Sequence, residues 1–324
     1  MLRTLRYMAP AQHVWRSSST LKHMTAVFVE EGPDKGAIWH FGEPNKEQRA
    51  LEAGTAWADL SHLKVIAVAG VDRLTWLHDV TTQHLSALPA GEWVDVMVLD
   101  PRGHVEYQFL LVDDGSTSWL VVSPDYCEGL LGYLTKMIFT RQVQVRDASD
   151  EFALLRAPGA ATKLGGPYAL VPRTELDEMR TAFDAHAMQV GTWALDALRV
   201  AAGRPRIGFD TDHKSIPNEL GVLGGAVHMN KGCYRGQETV AKIFNLGNPP
   251  RRLVMLHLDG SAVVMPNPGT PVENNGVTVG FLGTVARHHE LGPIALAIIK
   301  RTTPVESTLI VGGVSAAQQV IVPV

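Results

Sequence analysis

Hydrophobic and polar positions along the first half of the chain alternate between helical and strand-like spacing. Apolar side chains that recur every three or four residues among charged ones predict helices. Short apolar runs bounded by Gly or Pro predict strands. The predicted helices are 45–59, 73–77 with a further turn through 85, and 127–139, and the predicted strands are 64–69, 93–99, 105–112 and 119–122. Such short units joined by hairpin-like turns are typical of an α+β fold rather than a βαβ repeat.

The same pattern predicts three domains after an N-terminal extension. A strand at 152–157 and helices at 174–187 and 192–202 predict a second α+β unit. The final third is β-rich, with Gly, Pro and Asn between its apolar runs, which indicates a small barrel or sandwich. We therefore predict an extension over 1–24, a first α+β domain over 25–145, a second over 146–246, and a C-terminal β-barrel over 247–324.

Composition and charge exclude several classes of function. The chain has 324 residues, a net charge of −4, and 19% charged residues. This balance gives no basis for direct nucleic-acid binding, and no apolar run is long enough to span a membrane. Two cysteines fit a reducing compartment and are too few to hold a structural zinc or an iron–sulfur cluster. We expect a monomer in the cytoplasm.

The N-terminal segment allows a second location. The first 29 residues contain no acid, and they hold Arg3, Arg6, Arg16 and a run of Ser and Thr. Transit peptides have this composition, so the mitochondrial matrix is the alternative location. We favour a disordered extension over 1–24 and exclude it from the fold.

One dense stretch, His228–Glu238 (HMNKGCYRGQE), carries the candidate chemistry. Cys233 lies between Lys231 and Arg235, and cations and a following helix start lower the pKa of a thiol. Cys233 and Lys231 are therefore the candidate catalytic residues. The opposing interpretation is a tight turn that buries Cys233 as a small hydrophobic residue.

The remaining residues of this stretch suit a polar ligand. Gly232 and Gly236 permit a positive φ or a close approach of the backbone to a ligand. Gln237 and Glu238 can present an amide and a carboxylate to a heterocycle. Outside the stretch, Asp79 could face a channel or be an ordinary exposed acid. Arg199 could steady the channel or pair with an acid in the core.

The segment Lys231-Gly-Cys-Tyr-Arg-Gly-Gln-Glu238 resembles the signature of the YgfZ family, folate-dependent relatives of the glycine cleavage T-protein, an aminomethyltransferase. The resemblance covers about residues 30–300, and the matching segments follow one another in the same order as in the family. Its other segments are Trp76–Thr81, Leu99–Val105, Leu198–Gly208, Ile216–Leu220 and Gly283–Ala286.

This resemblance implies a fold, a cofactor and partners. The fold is a three-domain cloverleaf around a central channel that holds tetrahydrofolate or a derivative. The implied partners are iron–sulfur assembly or client proteins, and through them the protein affects tRNA modification. The match to the signature implies that four residues correspond to functional residues of the family: Lys231, Cys233, Tyr234 and Glu238. The cofactor-binding candidates are Lys231, Gly232, Tyr234, Gly236, Gln237, Glu238, Arg199 and Asp79.

Departures from the aminomethyltransferases indicate a different activity. Their paired Asp residues are matched here by Glu106 and Tyr107, so one carboxylate is lost. Residues 155–172 contain no acid where those enzymes present a pterin-binding carboxylate. Glycine cleavage is therefore not expected, and whether the chain is an enzyme stays open. The alternatives are a folate-dependent one-carbon transferase or demethylase acting on a small amine, and a scaffold protein without a folate site.

The pair His288-His289, followed by Glu290, is the one candidate metal site of the sequence. Adjacent side chains on a strand diverge, so two neighbouring histidines seldom bind one ion. We therefore predict no metal.

Overall fold

The computed structural model describes residues 25–157, 167–261 and 264–323. The predicted extension over 1–24 lies outside the described residues, as do residues 158–166 of the acid-free segment 155–172.

Strands and helices alternate along the described chain. The strands are β1 (Val27–Phe28), β2 (Ile38–His40), β3 (Ala56–Asp59), β4 (Lys64–Ala69), β5 (Trp93–Leu99), β6 (Val105–Asp113), β7 (Thr117–Val122), β8 (Gln144–Asp147), β9 (Phe152–Arg156), β10 (Tyr168–Pro172), β11 (Met188–Val190), β12 (Arg251–Leu258), β13 (Pro271–Asn274), β14 (Val277–His288), β15 (Gly292–Lys300), β16 (Leu309–Val311) and β17 (Val314–Val320). The helices are α1 (Pro44–Glu52), α2 (Arg73–Val80), α3 (Pro124–Lys136), α4 (Leu176–Asp184), α5 (Thr192–Ala201), α6 (Pro217–Leu220) and α7 (Gln237–Leu246). Within the described ranges, no helix combines the length and hydrophobicity that crossing a bilayer requires.

The first sheet is antiparallel and has the strand order β5-β6-β7-β4-β8. Helices α2 and α3 cover one face, where their apolar side chains join those of the strands in one buried cluster. This sheet contains all four strands that were predicted for the first domain, at 64–69, 93–99, 105–112 and 119–122. Each is an apolar run with a turn on either side, the pattern that predicts a strand.

The second sheet has the order β10-β9-β3-β11, and one of its strands corrects a prediction. A single helix was expected over 45–59, whereas α1 ends at Glu52 and β3 begins at Ala56. Gly54 adopts a φ of +70°, which ends the helix as a left-handed glycine commonly does. The apolar residues after it then pair with β11 in parallel and with β9 in antiparallel register.

The pairing of β3 also shows how the chain crosses between sheets. Residues 56–59 precede the whole first sheet in sequence, yet they lie in the second sheet with strands that begin near residue 152. A boundary at residue 145 therefore does not separate the two sheets cleanly. The predicted domain limits remain a prediction. Along the sequence, the strands of the first sheet lie between β3 and the other strands of the second sheet.

The third unit is a closed six-stranded barrel with the order β12-β15-β14-β13-β16-β17. Asn275 and Gly276 form the hairpin turn that connects β13 to β14, with φ values of +50° and +76°. Two positive φ values are typical of the tight turns that match strand twist. The predicted C-terminal barrel is thus confirmed, and its last strand, β17, runs over Val314–Val320 after a Gly-Gly turn.

All three units contribute to one shared hydrophobic cluster. It contains Met97 and Leu99 of the first sheet, Val200 of α5, Tyr234 of the signature stretch and Leu253 of the barrel. Because Tyr234 lies within this cluster, packing fixes the position of that residue relative to all three units.

Candidate functional site

The signature stretch forms a loop that leads into α7 and contacts the turn between β5 and β6. Gly236 stands immediately before α7 with a φ of +81°. A Cβ at this position would lie 2.5 Å from the carbonyl oxygen of Asp100 and 2.9 Å from Cα of Gly103. Only glycine allows the two backbones to approach this closely. The sequence predicted a positive φ or a close approach to a ligand for both glycines, and Gly236 has the positive φ. Gly232, by contrast, is exposed and makes no such approach.

Lys231 fastens the loop to the C-terminal end of α2. Its side chain is buried, and its ammonium donates hydrogen bonds to the carbonyl oxygens of His78 and Thr81. A cation at this end of a helix is favourable because the last carbonyls carry partial negative charge. The ammonium also lies 5.1 Å from the centre of the Tyr234 ring. These contacts give Lys231 a positioning role that the sequence did not indicate.

We expect the pKa of Lys231 to lie well below that of an ordinary lysine. Burial lowers its pKa to about 8 from 10.5. Between these values the unfolded chain binds more protons than the folded one, so this group's contribution to the free energy of unfolding rises with pH from 8 to 10.5 and is constant below 8. ¹⁵N NMR of the lysine side chains should show one signal with a midpoint near pH 8. A midpoint above 10 for every lysine would contradict this.

Arg235 joins the signature loop to the position of the altered carboxylate pair. Its guanidinium forms an ion pair with Glu106 and donates to the carbonyl oxygen of Leu99. The central carbon of the guanidinium, Cζ of Arg235, lies 4.8 Å from the centre of the Tyr133 ring. The signature loop and the start of β6, which are far apart in the sequence, therefore contact each other in the structure.

Tyr133, which lies against Arg235, belongs to a group of three tyrosine rings. The Tyr107 ring lies 6.4 Å from that of Tyr126 and 6.3 Å from that of Tyr133. Tyr133 donates its hydroxyl hydrogen bond to the carbonyl oxygen of Val80, and burial raises the pKa of its phenol to about 12. Burial raises the pKa of Tyr107 as well. Near neutral pH these phenols are uncharged, so Tyr107 does not replace the lost carboxylate as a base.

The sequence interpretation missed Tyr126 and Tyr133, although a signal was present. They lie seven residues apart on α3, which places them on the same helix face two turns apart. That face looks toward β6, where Tyr107 lies. A search for polar aromatic residues at helical spacing opposite Glu106 and Tyr107 would have found them.

Cys233 is exposed, and its neighbouring cations are engaged elsewhere. The ammonium of Lys231 is bonded to α2, and the guanidinium of Arg235 is paired with Glu106. The helix start expected just after the thiol is present, since α7 begins at Gln237. Cys127 is buried, and burial raises the pKa of its thiol to about 11, as is typical of a thiol in an apolar core.

The other cofactor-binding candidates fall into two groups. Gln237 is half-buried and Glu238 is exposed in the first turn of α7, close in sequence to Gly236. Asp79, in contrast, is exposed and forms a surface ion pair with Arg141 at 2.8 Å. Asp79 therefore matches the ordinary exposed acid that the sequence left as an alternative.

Arg199 lies in a hydrogen-bonded network that connects α5 to the barrel. Its guanidinium contacts the carboxylates of Asp196 and Asp210 at 3.0 and 2.6 Å, and the hydroxyl of Thr284 at 2.7 Å. Burial alone would lower its pKa, but the two carboxylates raise it. This geometry favours the core ion pair over direct contact with a cofactor.

His288 and His289 come together with Glu52, contrary to the argument that neighbouring side chains diverge. Strand β14 ends at His288, and the two rings stack with their centres 4.6 Å apart. Glu52 lies 2.6 Å from Nε2 of His289 and 3.7 Å from Nε2 of His288. However, Nδ1 of His288 accepts hydrogen bonds from the backbone of Glu290 and Leu291, so its proton lies on Nε2. The group is therefore a carboxylate facing two imidazole nitrogens, and it does not offer a prepared metal site.

Two clefts, of about 260 and 250 Å³, lie away from the signature loop. The first is lined by residues of β2, β3 and α4, and the second by residues of α7, the linker to the barrel and the C-terminal segment. Neither cleft includes a candidate site residue.

Comparison with known proteins matches this architecture to one class. The chain superposes on the glycine cleavage system aminomethyltransferase T from Bartonella henselae with a TM-score of 0.75, covering 92% of this chain and 93% of that one at 18% identity. The fold is therefore aminomethyltransferase-like, a mixed α+β fold with a closed C-terminal barrel, as predicted. The folate in a central channel remains a prediction.

Sequence similarity points the same way. The chain is 24% identical over 296 residues to "Putative transferase At1g60990, chloroplastic" of Arabidopsis thaliana, which covers 77% of this chain and 66% of that protein, just under two thirds of its length. It is 24% identical over 316 residues to the aminomethyltransferase of Bacillus subtilis, with 83% and 86% coverage. No protein-family model matches the chain. The sequence is thus aminomethyltransferase-like, and the narrower YgfZ resemblance stays a prediction.

Proposed function

We propose that this protein binds a folate and assists the assembly or repair of iron–sulfur clusters, without glycine-cleavage activity. The absence of glycine-cleavage activity is inferred from the ion pair between Glu106 and Arg235. A carboxylate held by a guanidinium is a poor proton acceptor, because the cation stabilises its charged form. With Tyr107 neutral beside it, the place of the paired carboxylates offers no free acid or base.

Folate binding is supported by the class of fold and by the chemistry around the ion pair. The rings of Tyr107, Tyr126 and Tyr133 offer aromatic faces to a pterin, and such faces contribute to binding beyond their buried area. Gln237 and Glu238 can supply the acceptors for its amino and ring N–H groups. Because Lys231 and Arg235 are engaged within the protein, we expect only modest affinity for the glutamate tail.

The proposed role in iron–sulfur chemistry is assigned to Cys233. Its thiol is exposed next to the proposed ligand, so a client protein or a sulfur carrier can reach it. The protein would act in the cytoplasm, or in the mitochondrial matrix if residues 1–24 direct it there. Its proposed partners are cluster-assembly or client proteins, and it would act as a monomer.

Binding of 5-formyltetrahydrofolate to the purified protein tests the folate site. We expect saturable binding with a Kd below about 1 mM, and about tenfold weaker binding by Glu238→Gln, a loss of about 1.4 kcal/mol. The matched control is Glu178→Gln, because Glu178 is an exposed glutamate in the first turn of α4, away from the site. Equal loss in both variants, or no saturation by the wild type, would remove folate from the proposal.

The cluster role is tested separately in cells that lack this protein. Wild type should restore the activity of an iron–sulfur enzyme, and Cys233→Ser should not, whereas Cys127→Ser should restore it if it folds. Restoration by Cys233→Ser would favour the scaffold alternative. Turnover of tetrahydrofolate with an N-methylated amine would instead favour the transferase or demethylase.

A further inference from the structure

Three histidine rings lie side by side next to the signature loop, and together they form what we term the histidine cluster. The centre of the His84 ring lies 4.8 Å from that of His78 and 5.1 Å from that of His228. His78 belongs to the last turn of α2, His84 to the loop that follows α2, and His228 to the start of the stretch 228–238. His84 is exposed and the other two residues are half-buried, so solvent reaches the cluster.

The charged groups around the histidine cluster are mostly cations. Burial lowers the pKa of His78, and the positive charges of Lys231 and of the two other histidines lower it further. Of the groups that act on His78, only Asp79 raises this pKa, and Asp79 is itself held in a surface ion pair. Among the described residues, no carboxylate forms an ion pair with any of the three rings. A surface with this balance of charge attracts anions.

Hydrogen bonds determine where two of the rings carry their proton. Nδ1 of His78 accepts a hydrogen bond from the backbone N–H of Leu85 at 3.3 Å. Nδ1 of His228 accepts one from the backbone N–H of Asn230, also at 3.3 Å. An uncharged imidazole that accepts at Nδ1 carries its proton on Nε2. Both rings therefore present an Nε2–H donor, which suits a ligand that accepts hydrogen bonds.

The loop beside His78 provides open space and further donors. A Cβ added at Gly232 would lie 4.0 Å from Nε2 of His78, with no other atom nearer. The glycine therefore leaves the surface in front of this Nε2 open. Gly232 and Cys233 are both exposed, and within the described parts of the chain their backbone N–H groups make no hydrogen bond. Donors from the loop and from the rings thus lie next to each other, close to the buried ammonium of Lys231.

We propose that the histidine cluster binds an oxyanion, a phosphate or carboxylate group, with the Nε2–H groups of His78 and His228 among its donors. Such a group presents several acceptor oxygens, so donors that are too far apart to share one atom can each bind an oxygen of their own. A metal ion is disfavoured because both Nε2 atoms carry protons. In addition, among the described residues the three rings do not bring their nitrogens close enough together to hold one ion. The site goes beyond the proposed function and does not require folate.

Ring ¹H–¹³C NMR spectra of the histidines, recorded while inorganic phosphate replaces chloride at constant ionic strength, test the site. We expect the signals of His78, His84 and His228 to shift together and to saturate with one Kd of about 1–10 mM. The signal of His186, an exposed histidine just beyond α4, should not follow them. Cluster signals that do not move, or an unsaturated shift that His186 shares, would overturn the proposal.

Removal of one ring gives a second test. His228→Phe keeps an aromatic ring but loses the Nε2–H donor, so we expect about fivefold weaker binding of phosphate, as the loss of one hydrogen bond implies. The matched control is His186→Phe, which should bind phosphate as wild type does. If His228→Phe fails to fold, His84→Phe replaces it, because His84 is exposed. Unchanged binding by the cluster variant would contradict the proposal.

The same titration with glutarate in place of phosphate identifies the source of the oxyanion. Tighter binding of phosphate would assign the site to a phosphate-bearing ligand, and tighter binding of glutarate would assign it to a carboxylate-bearing one. The test also separates the oxyanion site from the folate proposal. Saturable binding of phosphate by a protein that does not bind 5-formyltetrahydrofolate would leave the oxyanion site intact and remove only folate.

Discussion

Replacing Asp210 by alanine is expected to lower the free energy of unfolding by about 3–5 kcal/mol. Asp210 is buried, and its carboxylate pairs with Arg199 at 2.6 Å. It also accepts hydrogen bonds from the backbone N–H groups of Thr284 and Arg206, at 2.6 and 2.8 Å. The variant leaves these backbone donors without their acceptor, and it leaves the Arg199 guanidinium with Asp196 as its remaining carboxylate partner.

This carboxylate matters because it connects parts of the chain that are distant in sequence. Arg199 belongs to α5, and Thr284 belongs to strand β14 of the barrel. The loss should therefore loosen the contact between the second unit and the barrel, in addition to destabilising α5.

Urea unfolding monitored by tryptophan fluorescence measures the effect, and Asp79→Ala is the matched control. Asp79 also pairs with an arginine, at 2.8 Å, but both side chains are about half exposed. Exposed pairs contribute about 0–1 kcal/mol, so this control should unfold almost as wild type does. Similar losses in the two variants would show that burial does not govern the strength of these ion pairs.

The fold was predictable where local pattern alone decides the structure. The apolar run 64–69 became β4 without change, and the helix predicted at 192–202 became α5, with Gly203 just beyond it at a φ of +66°. Both elements carry their own boundary residues in the sequence.

Prediction failed where a distant partner decides the structure. The residues of β3 have apolar positions close to helical spacing, and they form a strand because β11, far along the chain, pairs with them in parallel. Intrinsic preference is a weak guide when tertiary contacts oppose it. The interleaving of the first two sheets was missed for the same reason.

The candidate site residues were chosen from the composition of the signature stretch and from the family resemblance, and their role stays a prediction. The contacts that connect them could not be predicted from the sequence. The ion pair of Arg235 with Glu106, 129 residues apart, has no local signal, and neither has the bond from Lys231 to the end of α2. As a result, two cations expected to activate Cys233 instead hold the loop in place.

The two glycines of the signature, which the sequence treated alike, should respond very differently to substitution. Gly236→Ala is expected to cost about 2–4 kcal/mol, because a left-handed backbone is strained for alanine and its Cβ would lie 2.5 Å from the carbonyl oxygen of Asp100. The colliding atoms are backbone, so no rotamer change relieves the contact. The loop must withdraw from the β5–β6 turn, and with it Arg235 from Glu106.

Gly232→Ala is the matched control for this prediction. Gly232 is exposed and not left-handed, and the atom nearest to a Cβ there is Nε2 of His78 at 4.0 Å. Its loss should change stability by less than about 0.5 kcal/mol. Urea unfolding measures both variants, and the binding of 5-formyltetrahydrofolate shows whether the ligand depends on the loop position. If Gly236→Ala unfolds like Gly232→Ala, the close approach of the loop to Asp100 does not hold the site together, and Arg235 must be kept against Glu106 by the burial of Lys231 and Tyr234 alone.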